Sequence, residues 1–388
     1  MKKIAVIGIG TVGIVSLLTI LVKLVQTRKE KDFQIDIIHN PKIPKVSVGE
    51  GTTYVVKEDL QVLFGIKKTY EILDKCGFTF KKDVKFFWEE GLGKNFDIPH
   101  TTDGDIHFDS LEFTNELVKE IPKKFDIVKI VEGDVNEIDL DYDLIFDCSG
   151  FPSKEELETD YTLPDIETVN SAIVYASPKY YDENYTSSYF HQNGWMFGIP
   201  LKHRKTFGYL YNKNKTTYDE ALVDFKQRLP ILEEDKIKKF DWNFYYRNKI
   251  IEGNRVFLGN KLYLYEPAGA LPIHFYHMMA EKVIEVFLND EFHHEFKVWF
   301  NMSYKEQVKK ILDLVCLNYI GKVKSESKFW KEIKEEAINH FKNSEEWQEY
   351  LNKCKDNKTI YNYWQHQGSL LHYYLTGFEI DLMETDNA

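Results

Sequence analysis

Three closely spaced glycines near the N-terminus constrain the fold of this chain more than any other feature. Gly8, Gly10 and Gly13 follow the apolar residues 4–7 and precede an apolar segment that runs to about Thr27. In a βαβ unit, the first such glycine makes the tight turn, the second leaves room for a pyrophosphate, and the third lets helix and strand pack closely. The pyrophosphate then lies at the helix N-terminus, where unpaired N–H groups favour anions. The pattern predicts a Rossmann-type dinucleotide site.

The second strand of this unit lacks the residue that usually completes such a site. A carboxylate commonly ends this strand and bonds the ribose hydroxyls, whereas residues 33–38 lead here to His39 and Asn40. Asp36 points away from that position if its two neighbours face inward. His39 or Asn40 can bond a hydroxyl without a charge, so we expect weaker adenosine binding than usual.

The apolar N-terminal run, the net charge and the cysteine positions argue against several other classes of protein. The uncharged run 4–22 follows two lysines and could indicate a signal peptide or anchor, but the glycines interrupt it, and central elements of an α/β sheet can be apolar all round. We therefore expect a cytoplasmic protein with no membrane contact. A net charge of −12 argues against a nucleic-acid partner. The four scattered cysteines form no Cys-x-x-Cys pair, so no metal is expected.

The remaining sequence predicts a mixed α/β chain. Residues 79–88 predict one strand, Asp109 is expected to cap a helix over 109–121, and another helix is expected over 217–229. After Pro272 the chain is predicted to be helical for most of its length.

Several motifs, in a constant order, resemble those of the flavin-dependent tryptophan halogenases. They are residues 48–52 (VGEGT), 80–86 (FKKDVKF), 107–109 (HFD), 147–151 (DCSGF), 194–201 (GWMFGIPL), 266–267 (EP), 317–319 (LNY) and 329–331 (FWK). One such match is weak, but this many in the same order indicate homology over nearly the whole chain. The chain is identified as a shortened and divergent member of that family.

The resemblance implies FAD as the cofactor, reduced by a separate flavin reductase, with O2 and a halide ion consumed at a small aromatic substrate. The candidate FAD contacts are Gly8, Gly10, Thr11, Val12, Gly13, His39, Gly49, Glu50, Gly51, Thr52, Asp147, Gly259 and Pro267. The implied fold is a Rossmann-type FAD-binding fold with a mixed β-sheet substrate region and a helical C-terminal layer. Whether the chain forms a homo-oligomer is left open.

The resemblance also implies a division of the chain. Residues 1–289 would form the FAD-binding and substrate region, and residues 290–388 the helical layer. The FAD module would be discontinuous, at about 1–53, 105–151 and 253–289, with the substrate part at about 54–104 and 152–252.

In the family a lysine receives hypohalous acid and presents it to an aromatic carbon. Lys81 is the candidate here, because an amine can hydrogen-bond hypohalous acid or form a haloamine, and burial tunes lysine readily. Lys85 is a rival, since it would share a strand face with Lys81. Trp195, Phe197 and Pro200 belong to the segment that, in the family, separates the flavin from the aromatic substrate; Phe197 replaces a family Trp.

The main departure follows the Glu-Pro pair, where the family continues Leu-Glu-Ser-Thr-Gly-Ile and this chain reads AGALPI at 268–273. The family's second glutamate falls on Gly269. Its halide-binding Thr-Gly N–H groups fall on Leu271 and Pro272, and proline has no N–H. Ala270 and Leu271 are the halide candidates, and we expect bromide or iodide to be preferred, because strongly hydrated chloride suffers most from a lost hydrogen bond.

The substrate is not expected to be free tryptophan. Only about 18 residues separate Trp88 from His107, where the family carries a long insertion that helps to enclose tryptophan. An electron-rich phenol, an indole derivative or a carrier-bound aromatic is equally compatible.

Two alternatives to a halogenase stay open: a flavin monooxygenase or other oxidoreductase on the same scaffold, and a non-catalytic FAD-binding protein.

Overall fold

The structure is a computed structural model that describes residues 1–43, 49–52, 54–99, 104–133, 141–178, 181–229, 236–267, 272–357 and 370–380. The chain divides into two compact units. The first consists of Met1–Lys81, Thr102–Thr162 and Tyr245–Lys305, and the second of Lys82–Thr101, Leu163–Phe244 and Glu306–Ala388.

The strands follow one another in this order: β1 (Lys2–Ile7), β2 (Phe33–His39), β3 (Gly49–Thr52), β4 (Thr79–Phe80), β5 (Asp83–Phe87), β6 (Phe96–Pro99), β7 (Ile106–Asp109), β8 (Val128–Glu132), β9 (Leu144–Asp147), β10 (Tyr161–Thr162), β11 (Ser171–Ser177), β12 (Tyr185–His191), β13 (Gly194–Leu201), β14 (Arg204–Tyr211), β15 (Lys238–Asp241), β16 (Tyr245–Arg247), β17 (Ile251–Glu252), β18 (Arg255–Phe257) and β19 (Tyr263–Leu264).

The helices are α1 (Thr11–Thr27), α2 (Val55–Phe64), α3 (Ile66–Lys75), α4 (Ser110–Lys124), α5 (Lys154–Thr159), α6 (Tyr218–Arg228), α7 (Pro272–Leu288), α8 (His294–Leu317), α9 (Lys328–Asn343), α10 (Glu345–Asn357) and α11 (Leu370–Gly377). The helical prediction after Pro272 is thus confirmed for the described part of the C-terminal region.

The first unit is built around a six-stranded sheet in the order β17-β18-β9-β1-β2-β8. Its pairs are parallel, apart from the β17–β18 hairpin. Helix α1 connects β1 to β2, and its residues from Gly13 to Val22 are buried, which accounts for the uncharged N-terminal run. The predicted Rossmann-type fold is confirmed. No helix among the described residues has the length and apolar character needed to cross a membrane.

A small sheet in the same unit, in the order β3-β7-β4, carries two of the resemblance motifs. Its central strand β7 leads directly into α4, and the Asp109 carboxylate accepts hydrogen bonds from the N–H groups of Leu111 and Glu112 at 3.0 and 3.2 Å. This is the helix cap that the sequence predicts. The helix extends to Lys124, beyond the predicted end.

The single strand predicted over residues 79–88 is wrong. Strand β4 pairs with β7, whereas β5 pairs with β12 in the second unit. The Lys81 N–H donates to Asp105 O, and the N–H of the next residue donates to Asn184 O instead. The chain therefore changes partner strand after Lys81, and Lys85 does not share a strand face with it.

The second unit is built around a seven-stranded sheet in the order β15-β11-β14-β13-β12-β5-β6. Neighbouring strands are antiparallel except for β12 and β5, which run parallel. Helix α6 packs on one face of this sheet, and its buried Phe225 joins a core cluster that includes Met196 and Tyr209. Its Thr217 capping box explains why the predicted helix begins there.

Candidate functional site

The turn after β1 requires glycine at two positions. Gly8 has φ 97°, and a Cβ atom at this position would lie 2.4 Å from the carbonyl oxygen of Cys148. A Cβ atom on Gly13 would lie 2.1 Å from the Gly8 carbonyl oxygen. Both contacts are with backbone, which cannot rotate away, so these glycines hold β1, β9 and α1 close together.

Gly10 differs from Gly8 and Gly13 because no described protein atom lies close to the position of its Cβ. A Cβ atom on Gly10 would have no other described atom within 4 Å. Gly10 is the N-cap of α1, has an extended backbone and contributes no side-chain cap. The first N–H groups of α1, including those of Thr11 and Val12, have no partner within the helix. Open space beside unpaired N–H groups at a helix start fits an FAD pyrophosphate.

Strand β3 is tied to the glycine turn by a side-chain hydrogen bond. The Thr11 hydroxyl donates to the Glu50 carboxyl at 2.7 Å. In β3, Gly49 and Gly51 pair with Asp109 and His107 of β7. The turn and β3, distant in sequence, thus form one side of a single site.

Thr52, at the end of β3, offers a second polar group to that site. Its hydroxyl is buried and forms no hydrogen bond within the described structure. Buried polar groups are nearly always paired in folded proteins. An oxygen or nitrogen of a bound flavin could satisfy this hydroxyl, so the group fits an FAD site.

Asp147 lies at the carboxyl end of β9 and organises the neighbouring turns. Its carboxylate accepts the Ser149 N–H at 3.1 Å and lies 3.5 Å from Arg255 Nη1. Gly259, with φ 66°, would place a Cβ atom 3.4 Å from Val12. Asp147 and Gly259 therefore shape the same sheet edge as the glycine turn. Pro267 is exposed and is the last described residue before the gap at 268–271.

At the end of β2, His39 is partly buried and its Nε2 lies 3.9 Å from the Glu132 Oε1 of β8. Asp36 lies further back in the strand. It is buried, accepts a hydrogen bond from the Tyr142 hydroxyl at 2.9 Å and is also bonded by Gln34. The Asp36 carboxylate is therefore bonded to other side chains of the protein, in agreement with the expectation that it does not bind ribose.

Lys81 is almost completely buried, with 3% of its surface exposed. Burial lowers the pKa of its amine to about 8, and the nearby Asp105 carboxylate partly opposes that shift. Among the described residues, none forms a hydrogen bond or ion pair with the Lys81 ammonium. A lysine that is buried and whose charge is only partly compensated by a nearby carboxylate is costly for the fold and is typical of functional groups.

The small sheet places Lys81 near the strand that contacts the glycine turn. Thr52 and Phe80 pair with the same residue, Ile106, from opposite sides. Since neighbouring strands lie about 4.8 Å apart, the ends of β3 and β4 are roughly 10 Å from each other. Lys81 follows directly after Phe80, so the lysine and the candidate FAD contacts belong to one continuous region of the first unit.

Lys85, the rival of Lys81, has a different environment in the second unit. Its ammonium lies 3.7 Å from an Asp97 carboxylate oxygen and 4.8 Å from the centre of the Tyr185 ring, and its side chain is 31% exposed. The structure thus shows different environments for the two lysines between which the sequence alone did not decide.

The aromatic residues predicted to wall off the flavin lie in β13 of the second unit. Trp195 donates from Nε1 to the Tyr319 hydroxyl at 3.0 Å and is buried. Phe197, two residues on, fills the space beside Gly208, where a Cβ atom would meet its ring at 2.2 Å. Pro200 is buried near the end of the same strand. Their role as a wall stays a prediction.

The candidate halide residues, Ala270 and Leu271, lie outside the described residues, as does Gly269. The halide site therefore stays a prediction from the sequence. Sequence reasoning missed the Thr11–Glu50 contact and the position of Glu132. The first joins segments 39 residues apart, and the second depends on strand order, so no local pattern signals either of them.

The Glu50 carboxyl gives a prediction for protein stability. Burial raises its pKa to about 7, against the opposing hydrogen bonds from Thr11 and Ser110, and the Asp109 charge raises it further. Because the folded-state pKa lies above the unfolded value, stability falls as the pH rises from about 4.5 to about 7. We expect Glu50→Gln to raise the free energy of unfolding by about 2 kcal/mol at pH 8 and to change it little at pH 4.5.

Denaturant unfolding of the flavin-free protein at both pH values measures this effect. Glu58→Gln, at an exposed position in α2, is the matched control and should shift stability only slightly at either pH. Equal shifts for the two variants at pH 8 would contradict the assignment of a raised pKa to Glu50.

Comparisons with known proteins show the family to which this chain belongs. The sequence model of the tryptophan halogenase family matches residues 3–115 and 123–369. A tryptophan 6-halogenase of Streptomyces toxytricini is 22% identical over 213 residues, which cover 52% of this chain and 40% of that protein. A tryptophan 6-halogenase of Streptomyces albogriseolus is 22% identical over a match covering 86% of this chain and 79% of that protein. The first of these matches thus spans less than half of the relative's length.

A solved structure extends the likeness to the fold. The crystal structure of the Streptomyces toxytricini tryptophan 6-halogenase has a TM-score of 0.77 to this chain, with 18% identity, and the alignment covers 100% of this chain and 94% of that one. At that identity the likeness concerns the fold alone. Because the family model matches most of the sequence, this chain belongs to the tryptophan halogenase family.

Proposed function

We propose that this protein is an FAD-dependent halogenase that transfers an oxidised halogen to an electron-rich aromatic substrate through Lys81. The observation that carries the proposal is the buried Lys81 amine, which has no described hydrogen-bond or ion-pair partner. It belongs to the same small sheet as β3, which is bonded to the glycine turn. A buried lysine that donates no recorded side-chain hydrogen bond within the described residues, so close to a candidate flavin site, is best explained by chemistry.

FAD would be held mainly by the first unit. The glycine turn and the start of α1 would bind the pyrophosphate, and β3 with its Thr52 hydroxyl would contact the flavin. When bound in its reduced form, FAD would supply two of the four electrons that reduce O2, and the halide would supply the other two as it is oxidised to hypohalous acid. We propose that a separate flavin reductase delivers the reduced cofactor, since the family resemblance implies one.

Lys81 would receive the oxidised halogen as a neutral amine. With a pKa of about 8, a useful fraction of the amine is unprotonated near neutral pH. The amine nitrogen can accept a hydrogen bond from hypohalous acid, or it can attack the halogen to form an N–halogen bond and release water. Attack by an aromatic carbon then breaks the N–halogen bond, the nitrogen keeps the bonding electron pair and takes up a proton, and the ring loses its proton to solvent. In the hydrogen-bonded route the ring attacks hypohalous acid directly, and the hydroxide that leaves is protonated to water. Both routes restore the free amine.

The substrate is proposed to be more reactive than free tryptophan. Gly269 stands where the family has a glutamate thought to support ring attack, so an electron-rich phenol or indole derivative is favoured. The short segment between Trp88 and His107 also argues for a less enclosed substrate.

The halide preference provides a test that depends on the sequence after Pro267. We expect higher product yields with iodide or bromide than with chloride. Pro272 removes one N–H donor, and a lost hydrogen bond weakens the binding of chloride most, because chloride is the most strongly hydrated of the three ions. Reactions with each halide separately, read by mass spectrometry, check this order. A clear preference for chloride would exclude it.

The central experiment combines purified protein with FAD, a flavin reductase, NADH and an electron-rich phenol or indole. Catalase and hypohalite scavengers are added to suppress reaction in solution. Halogenated product that requires both halide and protein supports the proposal. Hydroxylated product without halide dependence would favour a monooxygenase, and flavin binding without product would favour a binding protein.

A further inference from the structure

We propose that Glu132, at the end of β8, supplies the ribose-binding carboxylate that is missing from the end of β2. The inference rests on the FAD-binding part of the proposed function and is independent of halogenation. In dinucleotide folds of this kind an acidic residue at the end of the second strand bonds the adenosine ribose hydroxyls. Here that position is His39, and Asp36 is already bonded within the protein.

The register of the sheet places Glu132 beside His39. Strands β2 and β8 are parallel, and His39 pairs with Glu132 as the last residue of each strand. The next N–H along, from Gly133, donates to the His39 carbonyl oxygen at 3.0 Å. The carboxylate is therefore fixed to the strand end by backbone pairing.

This strand end lies at the edge of the sheet where a dinucleotide binds. In the parallel register Ile7 pairs with Ile38, so the glycine turn after β1 and the residues His39 and Glu132 emerge at the same edge. Ligands of open parallel sheets bind outside the carboxyl ends of the strands. Glu132 is two strands from β1, roughly 10 Å away across the sheet, and its side chain extends back towards His39.

The two side chains leave room for hydroxyl groups. His39 Nε2 and Glu132 Oε1 are 3.9 Å apart, too far for a direct hydrogen bond. Glu132 has 69% of its side chain exposed, whereas His39 has 13%. A ribose carries two neighbouring hydroxyls, so one can donate to the carboxylate while the other bonds the imidazole. A carboxylate acceptor gives a stronger hydrogen bond than a neutral one.

The test measures the affinity of the full-length protein for oxidised FAD and for FMN, which lacks the adenosine. We expect Glu132→Ala to weaken FAD binding by about tenfold, the loss expected for one hydrogen bond to a charged group, and to leave FMN binding unchanged within about twofold. Glu158→Ala, which removes an exposed glutamate of the same unit, is the matched control for net charge and should change neither affinity.

A rescue variant separates ribose binding from a general disturbance. In the double variant His39→Glu with Glu132→Ala, the carboxylate returns to the end of β2, and FAD affinity should recover to within about threefold of the wild type. Unchanged FAD affinity in Glu132→Ala, or an equal loss for FAD and FMN, would overturn the inference. A protein that binds FAD in this way but forms no halogenated product would refute only the halogenase proposal.

Discussion

Replacing Lys81 by methionine is expected to reduce halogenated product by about 100-fold or more, the range typical of removing a group that takes part in the chemical step. Methionine fits the buried position, because its length and apolar character match the lysine stem. The variant should therefore still fold and bind FAD. If the lysine acts after halide oxidation, hypohalous acid should still form and should react with an added scavenger.

Two matched variants test whether the effect belongs to Lys81. Lys82→Met removes the next, exposed lysine, and Lys85→Met removes the lysine that is paired with Asp97. Both should retain activity within about threefold of the wild type, as expected for surface substitutions. A large loss in Lys85→Met together with an active Lys81→Met would transfer the role to Lys85. An active Lys81→Met with two active controls would remove the lysine step from the proposal.

The buried amine also predicts how activity and stability depend on pH. Product formation should increase as the pH rises through about 8, because only the neutral amine can accept the halogen. The folded-state pKa lies below the unfolded one, so the folded protein binds fewer protons between about 8 and 10.5, and stability rises with pH across that window. At pH 7, Lys81→Met should therefore be more stable than the wild type, by up to about 3 kcal/mol. An inactive variant that is also more stable is the signature of a functional residue kept at a cost to the fold.

The fold could be predicted largely because its strongest determinants are local. The glycine spacing at positions 8, 10 and 13 and the Asp109 cap act within a few residues, and both are present in the structure as expected. The prediction of one strand over residues 79–88 is wrong, because the pairing that divides this segment is not determined locally. Alternation of side chains cannot show that Lys81 and the residue after it pair with different strands.

The candidate site was predictable in composition but not in arrangement. Thr11 and Glu50 were expected to contact the cofactor, yet their mutual hydrogen bond depends on how β3 meets the glycine turn. The burial of Lys81 and the exposure of Lys85 likewise depend on which sheet each residue joins. Glu132 could not be identified until the strand order placed β8 next to β2.

Substitution by alanine is expected to affect FAD binding alone at Gly10, but both stability and FAD binding at Gly13. In Gly10→Ala the new methyl group meets no other described protein atom, and the extended backbone at this position accepts alanine. The fold should therefore be unaffected or slightly more stable, by up to about 1 kcal/mol. The methyl group would project into the space assigned to the pyrophosphate. FAD affinity should fall by about 10- to 100-fold, the equivalent of the 1–3 kcal/mol that overpacking usually costs.

Gly13→Ala should behave differently, because its methyl group would lie 2.1 Å from the Gly8 carbonyl oxygen. We expect it to lose about 3 kcal/mol of stability or more and to bind FAD poorly as a result. Thermal unfolding of the flavin-free proteins, together with FAD titrations, distinguishes the two cases. Loss of binding with an intact fold in Gly10→Ala, and loss of both in Gly13→Ala, would locate the pyrophosphate at the start of α1. If Gly10→Ala binds FAD as tightly as the wild type, the cofactor cannot pass over the glycine turn, and the proposed orientation of the dinucleotide is wrong.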